Sequence, residues 1–266
     1  MNHAGTPDRA TSPLSGKTAL VTGASGGIGS AVAAGLGRAG ANVLVCGRRK
    51  DPIERLADQI GGTPFVADLT GIEACRAAVE TAQRRYGRLD LVHLSVGARS
   101  YDRDLTEFNL SEYRTVVAAN LDSIVFSLAA CVPALLAAGG GAITLMSSLA
   151  GITGYGRYPI YTMTKAALIG LVRATSRRLS RNGVYLCALC PSFTDTPLLG
   201  DLREHLAARD HPLLQPSEVA AAVLHRLCGA PGDEPIWTIQ PGVPPTPYLP
   251  AGIPGPHVPT AQPPVM

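Results

Sequence analysis

The stretch TALVTGASGGIGSAVAAGLG, residues 18–37, decides the fold. It opens with a short apolar run, residues 18–22, which predicts a buried strand, and then turns at glycines. Small residues follow, with Ile28, Val32 and Leu36 spaced as on one face of a helix. The sequence therefore predicts a strand, a tight glycine turn and a helix, in that order.

The glycine turn has the chemistry of a phosphate site. Glycine lets the backbone approach a pyrophosphate, and the start of the helix supplies free N–H groups and the positive end of its dipole. The spacing Gly23-x3-Gly27-x-Gly29 differs from the commoner G-x-G-x-x-G, and a tight strand-to-helix turn needs glycine in any case. With a strand before it and a helix after it, we expect the turn to bind a dinucleotide through Gly23, Ser25, Gly27, Ile28 and Gly29.

Strand and helix patterns alternate from residue 18 to about residue 240. This alternation implies right-handed crossovers and a doubly wound parallel sheet covered on both faces, an α/β fold. The further predicted strands are residues 42–46, 64–67, 89–95, 142–146, 184–189 and 235–239, and the further helices are capped at Asp51 and Ser111 or span 72–86 and 158–180.

Composition limits the class of protein. The chain has 266 residues, 46% hydrophobic and 16% charged, so it can bury a sizeable core within one domain. The net charge of +3 is too small to favour a nucleic-acid or membrane partner. The sequence predicts neither a bilayer-spanning run nor a signal peptide in the first twelve residues.

The six cysteines favour reduced thiols in a cytoplasmic protein, since four of them lie in predicted strand or helix interiors. Cys187 and Cys190 have the C-x-x-C spacing of zinc and redox sites. They lie on an apolar predicted strand without a second pair of ligands, so we expect no metal there.

The two ends of the chain differ from the middle. Residues 1–14 are predicted to be flexible. From residue 243 to residue 266 nearly every third residue is proline, which lacks the N–H that ladders and helices need. We expect this segment to form neither strand nor helix but an extended or disordered arm, which leaves residues 15–242 as the domain.

The end of the second predicted strand indicates which dinucleotide is bound. An acidic residue there would accept hydrogen bonds from an adenosine ribose. The sequence instead reads Gly47-Arg48-Arg49-Lys50, and guanidinium groups suit the 2′-phosphate that distinguishes NADP(H) from NAD(H). The alternative is a solvated basic loop before a helix. Asp68, after the third strand, either bonds to the adenine amino group or closes a turn.

Tyr161 and Lys165 lie four residues apart on a predicted helix and so share a face. A phenol, with a pKa of about 10, is a poor acid or base at neutral pH. A nearby ammonium, together with an oxidised nicotinamide, would lower that pKa by stabilising the phenolate. Tyr161 would then act as general acid towards a carbonyl or general base towards an alcohol. Taken alone, such a pair is more often a solvated surface feature.

Two further polar residues give the pair a context. Ser148 closes the fifth predicted strand, at the edge where α/β sheets bind ligands, and its hydroxyl would bond to the substrate oxygen. Asn120 lies in mid-helix, where asparagine is disfavoured, and would hold a water that connects to Lys165. The alternatives are a turn serine and a satisfied core amide.

Taken together, these residues resemble the short-chain dehydrogenase/reductase family over about residues 15–242. The resemblance implies a Rossmann-type sheet of about seven strands. It also implies that Lys165 binds the nicotinamide ribose and that Arg48 indicates a preference for NADP. The pattern is carried by Thr22-Gly23-x3-Gly27-Ile28-Gly29, Asp68, Asn120, Ser148 and Tyr161-x3-Lys165. The implied catalytic tetrad is Asn120, Ser148, Tyr161 and Lys165, and the implied cofactor contacts further include Arg49, Leu69, Gly97, Pro191, Phe193 and Thr196.

Three stretches depart from the family pattern. Its Asn-Asn-Ala-Gly after the fourth strand reads Leu94-Ser95-Val96-Gly97, and its Pro-Gly after the sixth reads Pro191-Ser192. The glycine-rich end after the seventh strand is Gln240-Pro241-Gly242. None of these changes removes a proton-transfer residue, but they bear on cofactor affinity and assembly.

We expect the substrate between the loop 151–160 and the segment 197–215, which is short and favours a compact molecule. Arg157 either receives an anionic group or is solvated, and His205 and His211 are expected at the surface. The candidate lining residues are Tyr155, Arg157, Tyr158, Phe193, Leu198 and Leu199, together with Arg99, Tyr101 and Arg103.

The sequence thus predicts an NADP(H)-dependent oxidoreductase that interconverts a carbonyl and a secondary alcohol on a small organic substrate. One alternative is an epimerase or dehydratase on the same scaffold, which the altered strand-four motif keeps open. Another is a dinucleotide-binding regulatory protein, which the intact tetrad disfavours. By resemblance alone we expect a homodimer or homotetramer, formed through the helices that carry Asn120 and Tyr161.

Overall fold

The computed structural model describes residues 12–99, 105–229 and 234–250. Its strands are β1 (Thr18–Val21), β2 (Asn42–Gly47), β3 (Thr63–Val66), β4 (Leu91–Leu94), β5 (Gly141–Met146), β6 (Val184–Pro191), β7 (Ile236–Gln240) and β8 (Val243–Pro247). Its helices are α1 (Gly27–Arg38), α2 (Lys50–Ile60), α3 (Ile72–Tyr86), α4 (Leu110–Val117), α5 (Ser123–Ala137), α6 (Ala150–Thr153), α7 (Pro159–Ser180), α8 (Leu202–Ala207) and α9 (Pro216–Cys228).

The strands form one eight-stranded sheet in the order β3-β2-β1-β4-β5-β6-β7-β8. Pairs from β3 to β7 are parallel, and β8 is antiparallel to β7. The order reverses between β1 and β4, and a crevice at such a reversal is where open α/β sheets bind ligands. The predicted doubly wound parallel sheet is confirmed, with eight strands rather than about seven.

Each face of the sheet is covered by its own hydrophobic core. Side chains alternate between the faces along each strand, so Leu20 of β1 joins one core and Val21 the other. The first core also takes side chains from α3, α5 and α7, including Val79, Ile124 and Leu168, and the second takes side chains from α1, α2 and α9, including Leu36, Ile53 and Val223.

The proline-rich segment begins as a strand. The expectation that residues 243–266 form neither strand nor helix is wrong for Val243–Pro247, which pairs with β7. Proline is tolerated there because an edge strand needs donors on one side only. The N–H of Tyr248 continues the pairing by donating to the carbonyl of Ile236 over 2.8 Å. Residues 251–266 lie outside the described ranges.

The N-terminal segment packs earlier than expected. Leu14 is buried, and its N–H donates to the carbonyl oxygen of Ala39 over 2.9 Å. Leu14, which lies within the stretch predicted to be flexible, is therefore attached to the domain. Residues 1–11 lie outside the described ranges.

Two helix caps differ from the sequence prediction. The side-chain oxygen of Asn109 accepts from the N–H groups of Ser111 and Glu112, so Asn109 caps α4 and Ser111 lies inside its first turn. Helix α2 starts after Arg49, which places Asp51 in the first turn rather than at the cap. An acidic residue in a first turn still interacts favourably with the helix dipole.

Helix α4 continues through a π-helical segment, Ala118–Asp122, into α5. The combined helix Leu110–Ala137 is 28 residues long and, by length and composition alone, apolar enough to cross a membrane, which the sequence analysis did not expect. In the fold, one side of this helix, including Ile124, Leu128 and Leu135, packs in the first of the two hydrophobic cores. A core helix of a globular domain passes the same test of length and composition.

Candidate active site

A cleft of about 960 Å³ opens at the carboxyl edge of the sheet, next to the ends of β1 and β4. It gathers residues from the ends of the parallel strands and from the segment that follows β6. All the predicted cofactor residues line it, namely Gly23, Ser25, Gly27, Ile28, Gly29, Arg48, Arg49, Asp68, Leu69, Gly97, Tyr161, Lys165, Pro191, Phe193 and Thr196, and so does Ser148.

The turn after β1 has no room for a side chain at Gly23 or Gly29. Gly23 has a φ of +65°, and a Cβ there would lie 2.6 Å from the Ser95 carbonyl group. A Cβ on Gly29 would lie 2.5 Å from the Gly23 oxygen. The hydroxyl of Thr22 accepts from the N–H of Ser95 over 3.1 Å, which joins the ends of β1 and β4. The glycines are therefore required by the backbone packing of the turn itself.

The start of α1 fits a dinucleotide phosphate. Gly26 occupies the cap position and supplies no side-chain hydrogen bond to the first amides of the helix. A Cβ on Gly27 would come within 2.6 Å of Cγ2 of Thr196, so the helix start lies directly opposite the segment after β6. Bare backbone, free amides and the positive dipole end together form a cradle for a pyrophosphate.

Two arginines stand at the adenosine end of the cleft. Nη1 of Arg48 lies 3.9 Å from Oδ2 of Asp68, and both side chains are exposed. The guanidinium of Arg49 donates to the carbonyl oxygen of Ser25. Oδ1 of Asp68 accepts from the N–H of Thr70 over 3.0 Å, so this aspartate closes a turn while it lines the cleft. An exposed pair such as Arg48 and Asp68 contributes little stability and leaves Arg48 free to exchange partners.

Asn120 is a fully buried amide in the π-helical segment. Its Oδ1 accepts from the N–H of Ala98 over 2.6 Å, and its Nδ2 donates to the Ala98 oxygen over 3.0 Å and to Oγ1 of Thr164 over 2.9 Å. Both N–H groups are thus used within the protein, and a water would reach only the second lone pair of Oδ1. Asn120 does not line the cleft. Its hydrogen bonds connect the loop after β4 to α7.

Lys165 is a buried cation on α7. Its Nζ donates to the carbonyl oxygen of Met146, the last residue of β5, over 2.9 Å. The hydroxyl of Ser147 donates to the backbone oxygen of Lys165 over 2.8 Å, so strand and helix are joined twice. Burial lowers the pKa of the ammonium to about 8.

The hydroxyl of Ser148 lies close enough to the phenol of Tyr161 to lower its pKa. Lys165 Nζ lies 5.6 Å from the centroid of its ring. Burial raises the pKa of Tyr161, and the nearby Ser148 hydroxyl acts in the opposite direction without reversing the shift. The predicted lowering by the ammonium is therefore wrong for the chain by itself, because burial dominates. The phenol is protonated at neutral pH, as a general acid must be.

The substrate end of the cleft is aromatic and aliphatic. The rings of Tyr155 and Phe193 meet edge to face at 5.7 Å, and those of Phe193 and His211 at 5.1 Å. His211 is exposed, as predicted, but also lines the cleft, whereas Arg157 is not among the lining residues. Tyr101 and Arg103 lie outside the described residues. The lining residues at this end are Tyr155, Tyr158, Phe193, Leu198, Leu199, Leu202, His211 and Arg99.

The family model for short chain dehydrogenases matches residues 17–207. The chain belongs to the short-chain dehydrogenase/reductase family. It is 33% identical over 215 residues to a cyclohexanol dehydrogenase of Acinetobacter sp. (strain SE19), covering 78% of this chain and 86% of that protein. It is also 29% identical over 217 residues to an uncharacterised oxidoreductase of Staphylococcus aureus (strain MRSA252), covering 80% and 92%.

Solved structures of the same fold agree. A short-chain type dehydrogenase/reductase from Mycobacterium marinum superposes with a TM-score of 0.79 at 25% identity, covering 85% of this chain and 94% of that one. A 3-ketoacyl-(acyl-carrier-protein) reductase from Brucella melitensis, complexed with NADH, has a TM-score of 0.78 at 24% identity and 85% and 97% coverage. At that identity the second likeness shows the fold alone.

The unusual strand-four motif of this short-chain dehydrogenase/reductase fits the packing of the fold. Leu94 is fully buried in the core, where the family pattern has an asparagine. Ser95 contributes its N–H to Thr22, as described above. The preceding His93 is also fully buried, with Nδ1 2.8 Å from the hydroxyl of Thr144, and burial lowers its pKa to about 3. The motif therefore keeps its backbone connection to the glycine turn. Leu94 packs in the core, while Ser95 and Val96 line the cleft.

Sequence reasoning missed the residues that hold the tetrad in place. Thr164 and Ala98 are the partners of Asn120, and the Met146 carbonyl is the partner of Lys165. A backbone carbonyl carries no sequence signal, since every residue has one. Ser147 had one available signal, because it stands beside Ser148 at the end of β5 and is buried.

Proposed function

We propose that this short-chain dehydrogenase is an NADP(H)-dependent oxidoreductase that interconverts a carbonyl and a secondary alcohol on a small organic substrate. The observation that carries the proposal is that Tyr161, Ser148 and Lys165 line the same cleft as the glycine turn, with the Lys165 ammonium 5.6 Å from the centroid of the Tyr161 ring. Membership of the family supports carbonyl and alcohol oxidoreduction in general. The name of the Acinetobacter relative, a cyclohexanol dehydrogenase, supports a secondary alcohol.

The proton moves through Tyr161. In reduction its Oη donates a proton to the substrate carbonyl oxygen, and in oxidation the phenolate takes the proton from the alcohol. Ser148 holds the phenol and donates to the same substrate oxygen. The ammonium of Lys165 stabilises the phenolate left by the transfer. The bound nicotinamide supplies or accepts the hydride.

Asn120 acts on this site through the loop after β4. A Cβ on Gly97 would lie 3.5 Å from both Asn120 Oδ1 and Lys165 Nζ, so Gly97 passes directly over the ammonium. By binding both backbone polar groups of Ala98, Asn120 fixes that passage. We therefore assign Asn120 a positioning role, and Ser148, Tyr161 and Lys165 the direct contacts with substrate and cofactor.

The residues proposed to bind the cofactor all line the cleft. The glycine turn holds the pyrophosphate, and Arg48 and Arg49 bind the 2′-phosphate of NADP. Asp68 and Leu69 would border the adenine. Pro191, Phe193 and Thr196 would border the nicotinamide, and Lys165 would bind its ribose. The exposed, weakly paired Arg48 supports NADP over NAD, since a phosphate is a better partner than Asp68 at 3.9 Å.

The assembly we propose is a homodimer or homotetramer in the cytoplasm, built through the helical layer of α4, α5 and α7. Four large apolar side chains on these helices are exposed in the single chain, namely Leu110, Val125, Leu136 and Met163. We propose that they contribute to one apolar patch, since a contiguous exposed patch marks an association surface. The six free thiols support a reducing compartment.

The experiment that tests the proposal follows the oxidation of NADPH with a panel of small ketones. We expect turnover with at least one secondary-alcohol and ketone pair in both directions. Tight NADPH binding without oxidation of NADPH by any ketone would contradict the proposal and favour a dinucleotide-binding protein without turnover.

A further inference from the structure

Arg99 links the loop after β4 to the segment that covers the substrate end of the cleft. Its side chain is only 9% exposed. Nη1 donates to the carbonyl oxygen of Leu199 over 2.6 Å and to the hydroxyl of Tyr158 over 3.2 Å. Nη2 forms an ion pair with Asp201 at 2.7 Å. We call residues 196–213 the lid, and Arg99 binds it at two adjacent points.

The backbone of the lid packs closely against the guanidinium of Arg99. Gly200, between the two contact points, has a φ of +51°, and a Cβ there would lie 2.7 Å from Nη2 of Arg99. Side chains rarely adopt this backbone conformation, so glycine serves both the turn and the close approach. The contact is therefore part of the packing and differs from a chance pairing of surface charges.

The lid is also fixed at its base. Thr194 and Leu214 form a parallel bridge, in which the Asp195 N–H donates to the Leu214 oxygen over 2.8 Å. Arg203 on α8 forms an ion pair with Asp195. The inner side of the lid packs as a small separate core of Tyr158, Leu199, Leu202 and Leu206. With its base joined and its inner side packed, the lid is held against the substrate end of the cleft.

The charge of Arg99 is compensated inside the protein. Asp201 faces both Arg99, at 2.7 Å, and Arg157, at 3.6 Å. Arg157 donates to the same Tyr158 hydroxyl from outside the cleft. Of the described residues around the substrate end, the remaining lining is aromatic or aliphatic apart from the exposed His211. Among the described residues, this wall offers a substrate contact area without a free cation.

We infer that Arg99 is a specificity-determining residue, which holds the lid closed and so restricts the site to compact, uncharged ketones and alcohols such as a single carbocycle. The inference rests on the proposed function. A long chain would have to displace Leu199 and Leu202 and with them the Arg99 contacts. A carboxylate would have to compete with Asp201 for the guanidinium, whose donors are already used.

The test compares three ketones with NADPH, namely cyclohexanone, 3-oxocyclohexane-1-carboxylate and 2-decanone. We expect the wild type to prefer cyclohexanone by about tenfold or more in kcat/KM over either competitor, a size of discrimination typical of apolar pockets. In Arg99→Met the preference should shrink to about threefold or less, chiefly through a higher KM for cyclohexanone at similar kcat.

Two kinetic outcomes would overturn the inference. In the first, Arg99→Met keeps the full preference for cyclohexanone. In the second, the wild type prefers the carboxylated ring and Arg99→Met loses that preference, which would make Arg99 an anion-binding residue.

A second measurement is independent of turnover. Amide hydrogen exchange over Leu202–Ala207 should accelerate by about tenfold in Arg99→Met and Asp201→Asn, because the closed lid loses a partner. The matched control is Asp210→Asn, the same change at an exposed position of the same lid, which should leave the exchange unchanged. Equal exchange in all variants overturns the inference. Accelerated exchange in an enzyme that reduces no ketone would instead contradict the proposed function and, with it, the substrate restriction.

Discussion

Nζ of Lys165 donates to the carbonyl oxygen of Met146 over 2.9 Å, so the last residue of β5 holds the cation of α7 in place. This bond keeps a buried ammonium beside the Tyr161 ring rather than in solvent. Its burial also makes the charge sensitive to moderately alkaline pH, since the pKa of Lys165 is lowered to about 8.

Ketone reduction should therefore slow as the pH rises through about 8. Below that pH the ammonium is present and stabilises the phenolate that forms when Tyr161 gives up its proton; above it the charge is lost. The measurement is kcat/KM for reduction as a function of pH. In Lys165→Arg, whose guanidinium stays charged, any remaining activity should lack this decline. A wild-type profile that stays flat to well above this pKa would refute the role of Lys165.

Tyr161→Phe should lower kcat by about 10²–10⁴-fold, because the hydroxyl that transfers the proton is removed. The Kd for NADPH should change little, since the ring and its packing remain. Steady-state kinetics and a binding titration give the two numbers. Tyr185→Phe, at an exposed strand position, is the matched control and should behave as the wild type. A Tyr161→Phe enzyme that keeps most of its rate would rule out this mechanism.

Arg48→Asp should shift the cofactor preference towards NAD by about tenfold or more in the ratio of kcat/KM values, because a carboxylate repels the 2′-phosphate and accepts from a ribose hydroxyl. Lys50→Asp is the control, since Lys50 is exposed and lies 4.0 Å from Glu54 on its own helix. An unchanged ratio in Arg48→Asp would show that the 2′-phosphate is not bound there.

Asn120→Ala should lower the free energy of unfolding by about 1–3 kcal/mol, because it leaves the buried polar groups around Ala98 and Thr164 without their partner. Urea unfolding of the two proteins measures the difference. The same variant should lose activity, since the loop over Lys165 is no longer fixed. A variant as stable as the wild type would contradict the positioning role.

Val125→Glu should convert the proposed oligomer into a monomer at micromolar concentrations, because it places a charge in the apolar surface of α5. Sedimentation velocity measures the change. Val66→Glu is a close control, as Val66 is 44% exposed against 41% for Val125 but lies on β3 at the other end of the sheet. A monomeric wild type, or a Val125→Glu variant of unchanged size, would place the interface elsewhere.

The sequence predicted those parts of the fold that depend on local chemistry. The glycine turn, α3 and α7 follow from patterns within a few residues, and the parallel sheet follows from the alternation of strands with helices. The two missed caps show the limit of this reasoning, since Asn109 and Ser111 are both good capping residues and only the geometry of the turn selects between them.

What the sequence could not predict depends on contacts between distant segments. Arg99 was a candidate for the pocket, but its partner Asp201 is about a hundred residues away and carries no spacing signal. For the chain by itself, the pKa of Tyr161 was predicted in the wrong direction, because its burial depends on the whole domain. Asn120 was predicted to matter, but its partners at Ala98 and Thr164 come from other elements.

Strand β8 has a consequence for solubility. A free sheet edge normally offers a row of donors that another chain can join, and this is a common route to fibres. Three of the five residues of β8 are prolines, Pro244, Pro245 and Pro247, and none has an N–H to give. Strand β8 therefore protects this edge of the sheet. It pairs with β7 on one side and presents few N–H donors to a neighbouring chain on the other.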